Sequence, residues 1–243
     1  MAGHSRWAKV KHFKGGIDAK RALAFAKLSK EIMVAARIGG GDPDMNPRLR
    51  MALLRSRAAS MPMDNVERAI KKGIGAEQSA AMEDLTYEIY APHGIAVLVE
   101  ITTDNRNRTA QEIRSIVTKN GGSIAATGAV SRLFNRKGQI IVSRDAANED
   151  ALMELALDAG AEDFVAEPEG YEILTDPASF EQVHRRMEQN KIKFEVAHVT
   201  WLPTLTLPIA GQSAAAVQKM LDEIEENADV KELYHNAEFA SEN

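Results

Sequence analysis

Between Asp18 and Ile38 apolar residues recur at intervals of three and four, at Phe25, Leu28, Ile32 and Ala36, while Lys20, Lys27, Lys30 and Arg37 fall on the other side. This is the period of a helix with one packing face and one cationic face. Gly39-Gly40-Gly41 ends it, because glycine accepts the left-handed backbone of a helix C-terminus. Asn46 and Pro47 read as an N-cap followed by proline at the first helical position, opening a helix that carries Arg48, Arg50, Arg55 and Arg57 and stops before Pro62. A third short helix starts at Asp64, with Glu67 completing a capping box, and closes on Lys71-Lys72-Gly73.

After a polar, alanine-rich stretch at 76–84 the period becomes alternating. Leu85, Tyr87 and Ile89 mark one strand, Pro92-His93-Gly94 a turn, and Ile95 to Ile101 a second strand. A polar loop leads to a helix with a capping box at Thr109 and Glu112, an inward face of Ile113, Ile116 and Val117, and a stop at Gly121-Gly122; Val130 to Phe134 reads as a further strand. Residues 138–200 then run strand (139–143), helix (148–159), strand (162–166), strand (171–175), helix (177–190), strand (193–199), the order of a ferredoxin-like split βαβ. A last helix with Val217, Leu221 and Ile224 on one face and a strand at 230–234 are too little to fold alone, so they complete the sheet begun at residue 85. The expected fold is α+β multidomain: a basic three-helix domain at 1–80, an α+β domain at 81–135 plus 203–243, and a ferredoxin-like α+β domain inserted at 136–202.

Charge sharpens this division. Residues 1–75 hold sixteen of the thirty Lys and Arg but six of the thirty-five Asp and Glu, so that segment carries +10 and the remainder −15. The overall −5 averages two opposite modules, and a compact cationic one is the footprint of a phosphate-backbone binder. A basic face that docks on the chain's own acidic part is the plainer alternative. Cysteine is absent, which excludes disulfides, thiolate nucleophiles and Cys-built zinc sites and fits a cytoplasmic protein. No apolar run reaches membrane-spanning length.

Enzymatic signatures are missing. His4, His12, His93, His184, His198 and His235 form no metal-ligand spacing, and His198, in an apolar alternation, reads as a sheet histidine. The glycine clusters at 39–41, 73–75 and 121–122 neither continue into a phosphate-loop lysine nor open a helix after a strand, and read as helix stops. Neither a catalytic site, a metal nor a cofactor is expected.

Nucleic-acid contact is where residues converge. The arm His4-Ser-Arg6-Trp7-Ala-Lys9-Val-Lys11-His12-Phe-Lys14 interleaves cations with Trp7 and Phe13, joining backbone neutralisation to base stacking, although either ring could instead plug the helical core. With Lys20, Arg21, Lys27, Arg48 and Arg50 it makes up the candidate nucleic-acid-binding set. Spacings of two put Arg48, Arg50, Arg55 and Arg57 on different sides of their helix, so some must pair within the chain, with Asp42 and Asp44 nearby. The second signal is Asp104-Asn105-Arg106-Asn107-Arg108-Thr109, which could bind an anion at a helix N-terminus or lock an interface onto the acidic C-terminal part.

These stretches, Met1-Ala-Gly-His-Ser-Arg-Trp-Ala8, Gly39 to Arg50, Met63 to Gly73, Thr103-Asp-Asn-Arg-Asn-Arg-Thr109 and Tyr234-His-Asn236, resemble the YebC family of probable transcriptional regulatory proteins, whose mitochondrial relatives are translational activators of cytochrome c oxidase subunit I. The resemblance implies a helical N-terminal domain with two α+β domains. It implies DNA binding in transcription or, as in several members, association with ribosomal RNA and the ribosome to support translation of proline-rich stretches. It maps the family's basic arm onto Arg6, Lys9, Lys11, Lys14, Lys20 and Arg21, and its loop onto Thr103–Thr109. The family's Tyr-Glu-Gly-Tyr-Gly-Pro turn is here Tyr87-Glu-Ile-Tyr-Ala-Pro92, which predicts a turn of different shape; Gly-Ser-Val is Gly128-Ala-Val130, and Lys14-Gly-Gly-Ile-Asp18 is less basic than in many relatives. The expectation is a cytoplasmic, non-enzymatic regulator of gene expression bound to nucleic acid and not to membrane, its oligomeric state open. The competing classes are a protein adaptor and an enzyme using a cleft between domains.

Overall fold

The computed structural model describes residues 18–75 and 82–240, with side chains from Ala22 onward. Among the described residues three helices come first: α1 (Asp18–Gly39), α2 (Pro47–Ala58) and α3 (Met63–Ile74). Ile32, Ala35, Leu49, Ala52, Val66 and Ala69 close a small apolar core between them, joined at its margin by Phe25, Leu28, Leu53 and Ile70. One residue ties two of these helices together. Asn46 Oδ1 accepts from Leu49 N at 3.1 Å, capping α2, while its Nδ2 donates to the carbonyls of Ala35 and Gly40, each at 2.8 Å, at the end of α1.

The first sheet contains β1 (Glu83–Tyr90), β2 (Ala96–Thr103), β3 (Ser123–Ile124) and β9 (Val230–His235), in the order β3-β1-β2-β9. The hairpin β1–β2 is antiparallel with Tyr87 opposite Val99, and β9 pairs antiparallel with β2, so the C-terminal strand completes the sheet begun near residue 85. Helices α4 (Arg106–Lys119) and α7 (Gly211–Glu225) bury Ile113 and Val117, and Val217, Leu221 and Ile224, in the same cluster as Val97, Val99 and Ile101. Each such side chain, fully buried, contributes about 1.5–3 kcal/mol. A two-stranded parallel pair, β8 (Leu207–Ile209) with β10 (Ala237–Phe239), belongs to the same unit.

Between β3 and β8 the chain makes a second sheet from β4 (Phe134–Ser143), β5 (Asp163–Glu167), β6 (Gly170–Thr175) and β7 (Val196–Pro203), with α5 (Glu149–Asp158) and α6 (Phe180–Gln189). The order β5-β6-β4-β7 is that of a ferredoxin-like sheet. Phe134–Leu202 forms one compact unit, and the described parts of Gly16–Leu133 and Pro203–Asn243 form another. The architecture is α+β, a helical N-terminal region followed by two α+β sheets, one inserted in the chain of the other.

Several local expectations need correction. Asp64 and Glu67 make no capping box: α3 begins at Met63, and the Pro62 carbonyl accepts from Asn65 and Val66, which leaves Asp64 in the first turn as a charge favoured by the helix dipole. Gly73 does not stop α3 but lies inside it, where a Cβ would stand 2.5 Å from the Met33 carbonyl, so its small size permits close packing on α1. Thr109 does not cap α4, because Asn105, a stronger cap, accepts from Arg108 N at 3.1 Å and starts the helix at Arg106. The strand expected at Val130–Phe134 begins only at Phe134. The buried Glu88 carboxylate collects the amides of Gly128, Val130 and Ser131 at 2.6–2.9 Å, which withdraws them from any ladder and sets a 3-10 turn at Ser131–Leu133. Ile89, the bulky departure in the family's turn, sits not in the turn but fully buried in β1.

Candidate nucleic-acid interface

His4, Arg6, Trp7, Lys9, Lys11, His12 and Lys14 lie outside the described residues, and Lys20 and Arg21 occupy the start of α1 without described side chains. The other three candidate cations are engaged inside the chain. Lys27 Nζ donates to the Glu225 carbonyl at 2.6 Å, at the C-terminal end of α7, where a cation satisfies an orphan carbonyl and the negative end of the helix dipole. Burial pushes its ammonium below its ordinary pKa, with Glu225 and Glu232 opposing. Arg48 pairs with Asp84, and Arg50 donates to the carbonyls of Pro43 and Asp44 at 3.0 and 3.2 Å, bracing the α1–α2 connection. Pairing inside the chain does occur: Arg48 with Asp84, Arg50 with backbone carbonyls, and Arg55 with Glu31 and Glu232.

Among the described residues of the helical region, a cationic surface is left open on α3. Val66, Ala69 and Gly73 face its core, and Arg68, Lys71 and Lys72 project into solvent on the opposite side. Arg57, at the end of α2, is exposed as well. Arg57, Arg68 and Lys72 make no ion pair with any described residue, and Lys71 reaches Glu67 only at 4.0 Å between highly exposed side chains, a pair that water and salt screen. The sequence signal for this surface was Lys71-Lys72, which fits a dipole-matched helix end equally well and so did not stand out as a contact. Ile38, Met45 and Ile74 are 69, 79 and 59 % exposed.

The Thr103–Thr109 loop meets an anion, and that anion is Asp229. Its Oδ2 accepts from Arg108 at 2.6 Å, from Thr109 Oγ1 at 2.6 Å and from Thr103 Oγ1 at 3.1 Å; its Oδ1 takes Lys30 Nζ of α1 at 2.6 Å. Burial alone would raise this carboxyl, but the hydrogen bonds from Lys30, Thr109 and Arg108 outweigh it and hold Asp229 well below the usual carboxylate range. Asp104 stays at the rim on Arg108, 3.0 Å away, while Arg106 and Asn107 remain exposed.

A second polar knot lies beside it. Arg55 of α2 contacts Glu31 of α1 at 3.3 Å and Glu232 of β9 at 2.8 Å, and Lys231 reaches Glu31 at 3.5 Å. Tyr234 donates to Glu232, and burial pushes its phenol far above its ordinary pKa. Among the histidines, His184 is buried between the rings of Phe180 and Phe194, and burial pushes its imidazole down, so it is a neutral core residue. The described residues contain no cluster of three or more His, Asp or Glu suited to a metal ion. No helix among them is long and apolar enough to cross a membrane.

Comparison with known proteins covers nearly the whole chain. Residues 5–76 match the family profile of the TACO1/YebC protein N-terminal domain, and residues 82–237 match that of the TACO1/YebC second and third domain. A probable transcriptional regulatory protein of Geobacter sulfurreducens is 48 % identical over 242 residues, covering 100 % of this chain and 98 % of its own. A protein of the same description from Treponema pallidum is also 48 % identical, covering 100 % and 99 %. The crystal structure of a conserved hypothetical protein from Aquifex aeolicus superimposes with a TM-score of 0.81 at 43 % identity, over 93 % of this chain and 94 % of that one.

Proposed function

The chain belongs to the TACO1/YebC family, and from that premise we propose that it is a non-enzymatic regulator of gene expression that binds nucleic acid through its basic helical region. The observation that carries this reading is the division of charge, +10 in residues 1–75 against −15 in the rest. A phosphate polymer is drawn to the first part and repelled by the second, which orients the protein before any specific contact forms. Arg57, Arg68, Lys71 and Lys72 provide the described part of the contact, and the arm from His4 to Lys14 provides the rest. Such contacts neutralise backbone without reading bases, so target choice comes from the arm's Trp7, or from partners. The working division is 1–80 for nucleic acid, with 81–135 plus 203–243 and 136–202 as the acidic α+β parts. The names of the bacterial relatives favour transcription, and hence DNA, as the setting.

Ultraviolet crosslinking of the tagged protein in growing cells, followed by sequencing of attached DNA and RNA and mass-spectrometric mapping of crosslinked peptides, tests this. The reading expects crosslinks within residues 1–75, on discrete promoter DNA. Dominant ribosomal RNA would move the protein to translation, and an absence of nucleic acid would favour a protein adaptor.

A further inference from the structure

Four cations of α1 and α2 reach groups outside the helical region: Lys27 the Glu225 carbonyl, Lys30 Asp229, Arg48 Asp84, and Arg55, which also holds Glu31 of α1, Glu232. Lys27 and Lys30 are three positions apart on one helix and Arg48 and Arg55 seven apart on the other, spacings that align each pair on one face. The apolar cluster of the three helices and that of the first sheet have no residue in common. The helical region also joins the α+β part covalently only once, after α3. Between the two regions, a crevice of about 10 Å³ is lined by Lys27, Lys30, Thr102, Asp229 and Lys231, room for a single water. Contacts of this kind rest on charge rather than on shared hydrophobic burial; the exposed Arg48–Asp84 pair is readily screened, the part-buried Lys30–Asp229 and Arg55–Glu232 pairs yield only at high salt, and together they allow movement.

We propose that Lys27, Lys30, Arg48 and Arg55 form a concealed polyanion-binding face, which a sugar–phosphate backbone uncovers by displacing Asp84, Asp229 and Glu232. This rests on the nucleic-acid reading above and adds its regulation. Carboxylate and phosphate oxygens satisfy ammonium and guanidinium groups in the same way, so the chain's own acids stand in for phosphates while no polymer is bound. Because the internal acids are always at hand, an isolated phosphate does not compete, whereas a polymer that engages the open cations of α3 brings many phosphates to the same place. The internal pairing therefore suppresses weak binding to stray anions and makes tight binding conditional on several contacts at once.

The native chain has no cysteine, so Ala58→Cys on α2 and Ala216→Cys on α7, both exposed, give two unique dye positions for energy transfer. The probes are a poly-uridine oligonucleotide and a mixed-sequence DNA duplex. The proposal expects transfer to fall as salt rises towards about 1 M, and to fall at low salt when either probe binds. It expects Asp84→Asn combined with Glu232→Gln to start in the lower-transfer state and to bind the probe about fivefold more tightly, since less of the chain is closed. A bound probe with unchanged transfer, or transfer that ignores salt, would overturn the concealed face and leave the nucleic-acid reading standing. Failure of both probes to bind at any salt would instead sink the nucleic-acid reading, and the polymer trigger with it.

Discussion

Lys30 Nζ and Asp229 Oδ1 stand 2.6 Å apart although 199 positions separate them in the chain. The pair joins the basic N-terminal helices to the turn before the last strand of the first sheet, and the same carboxylate holds Arg108, Thr109 and Thr103 of the conspicuous polar loop. The loop thus supports an internal junction, apart from the exposed cations of α3.

The junction has a pH signature. Asp229 is held below its unfolded pKa, and so are Asp84 and Glu88, where hydrogen bonds from Thr102 and Arg48 and from the backbone amides respectively outweigh burial. A depressed folded-state pKa gives stability that is complete above the unfolded value, about 4, and is lost as pH falls from there through the folded value. Thermal denaturation between neutral pH and about pH 3 should show a steep acid loss in the native chain, and a shallower slope in Asp229→Asn. Equal slopes would remove Asp229 as a source of the acid sensitivity.

Asn46 joins two helix ends with three hydrogen bonds from a nearly buried side chain. Asn46→Ala loses an N-cap and leaves the carbonyls of Ala35 and Gly40 short of a donor, a cost of about 2–4 kcal/mol. Asn46→Asp keeps the cap acceptor but turns an oxygen on those carbonyls, so it should rescue little. Chemical denaturation followed by helical circular dichroism distinguishes this from a cap-only role, in which Asp would restore most of the loss.

Gly73→Ala places a methyl group against the Met33 carbonyl and the Ala36 side chain, forcing α1 and α3 apart at an expected cost of about 1–3 kcal/mol. The same measurement, compared with Gly75→Ala at the end of the helix, checks that close packing rather than helix termination is what Gly73 provides. A larger loss at Gly75 would reverse that assignment.

Arg50→Ala should cost stability and spare nucleic-acid affinity, because its guanidinium braces Pro43 and Asp44. A filter-binding titration on the folded variant checks this, and a loss of affinity beyond about threefold would return Arg50 to the interface.

The sequence made the architecture readable because its periods are long and clean. The helical spacing of Phe25, Leu28, Ile32 and Ala36, the alternation of Leu85, Tyr87 and Ile89, and the order of elements through 138–200 each admit one arrangement of faces. The local pattern departs from the structure where a distant side chain decides it. Glu88 takes the amides that would have made Val130–Phe134 a strand, and nothing within that segment announces it. Similarly, a cation's charge is visible in sequence but its partner is not. Lys27 and Arg48 resemble surface residues until Glu225 and Asp84 arrive from remote parts of the chain, while Lys71 and Lys72 stay in solvent.

The central claim is that the basic helical region binds nucleic acid through its phosphates, and the salt dependence of binding tests it most directly. Affinity for a mixed-sequence DNA duplex and a poly-uridine strand would be measured across salt concentrations for the native chain and for Arg68→Glu combined with Lys71→Glu and Lys72→Glu. The account predicts a steep linear fall of log affinity with log salt for the native chain, and for the variant a flatter line with affinity lower by at least about tenfold at 0.1 M salt. Binding that is unaffected by salt and by the three reversals, or no binding of either polymer, would contradict it.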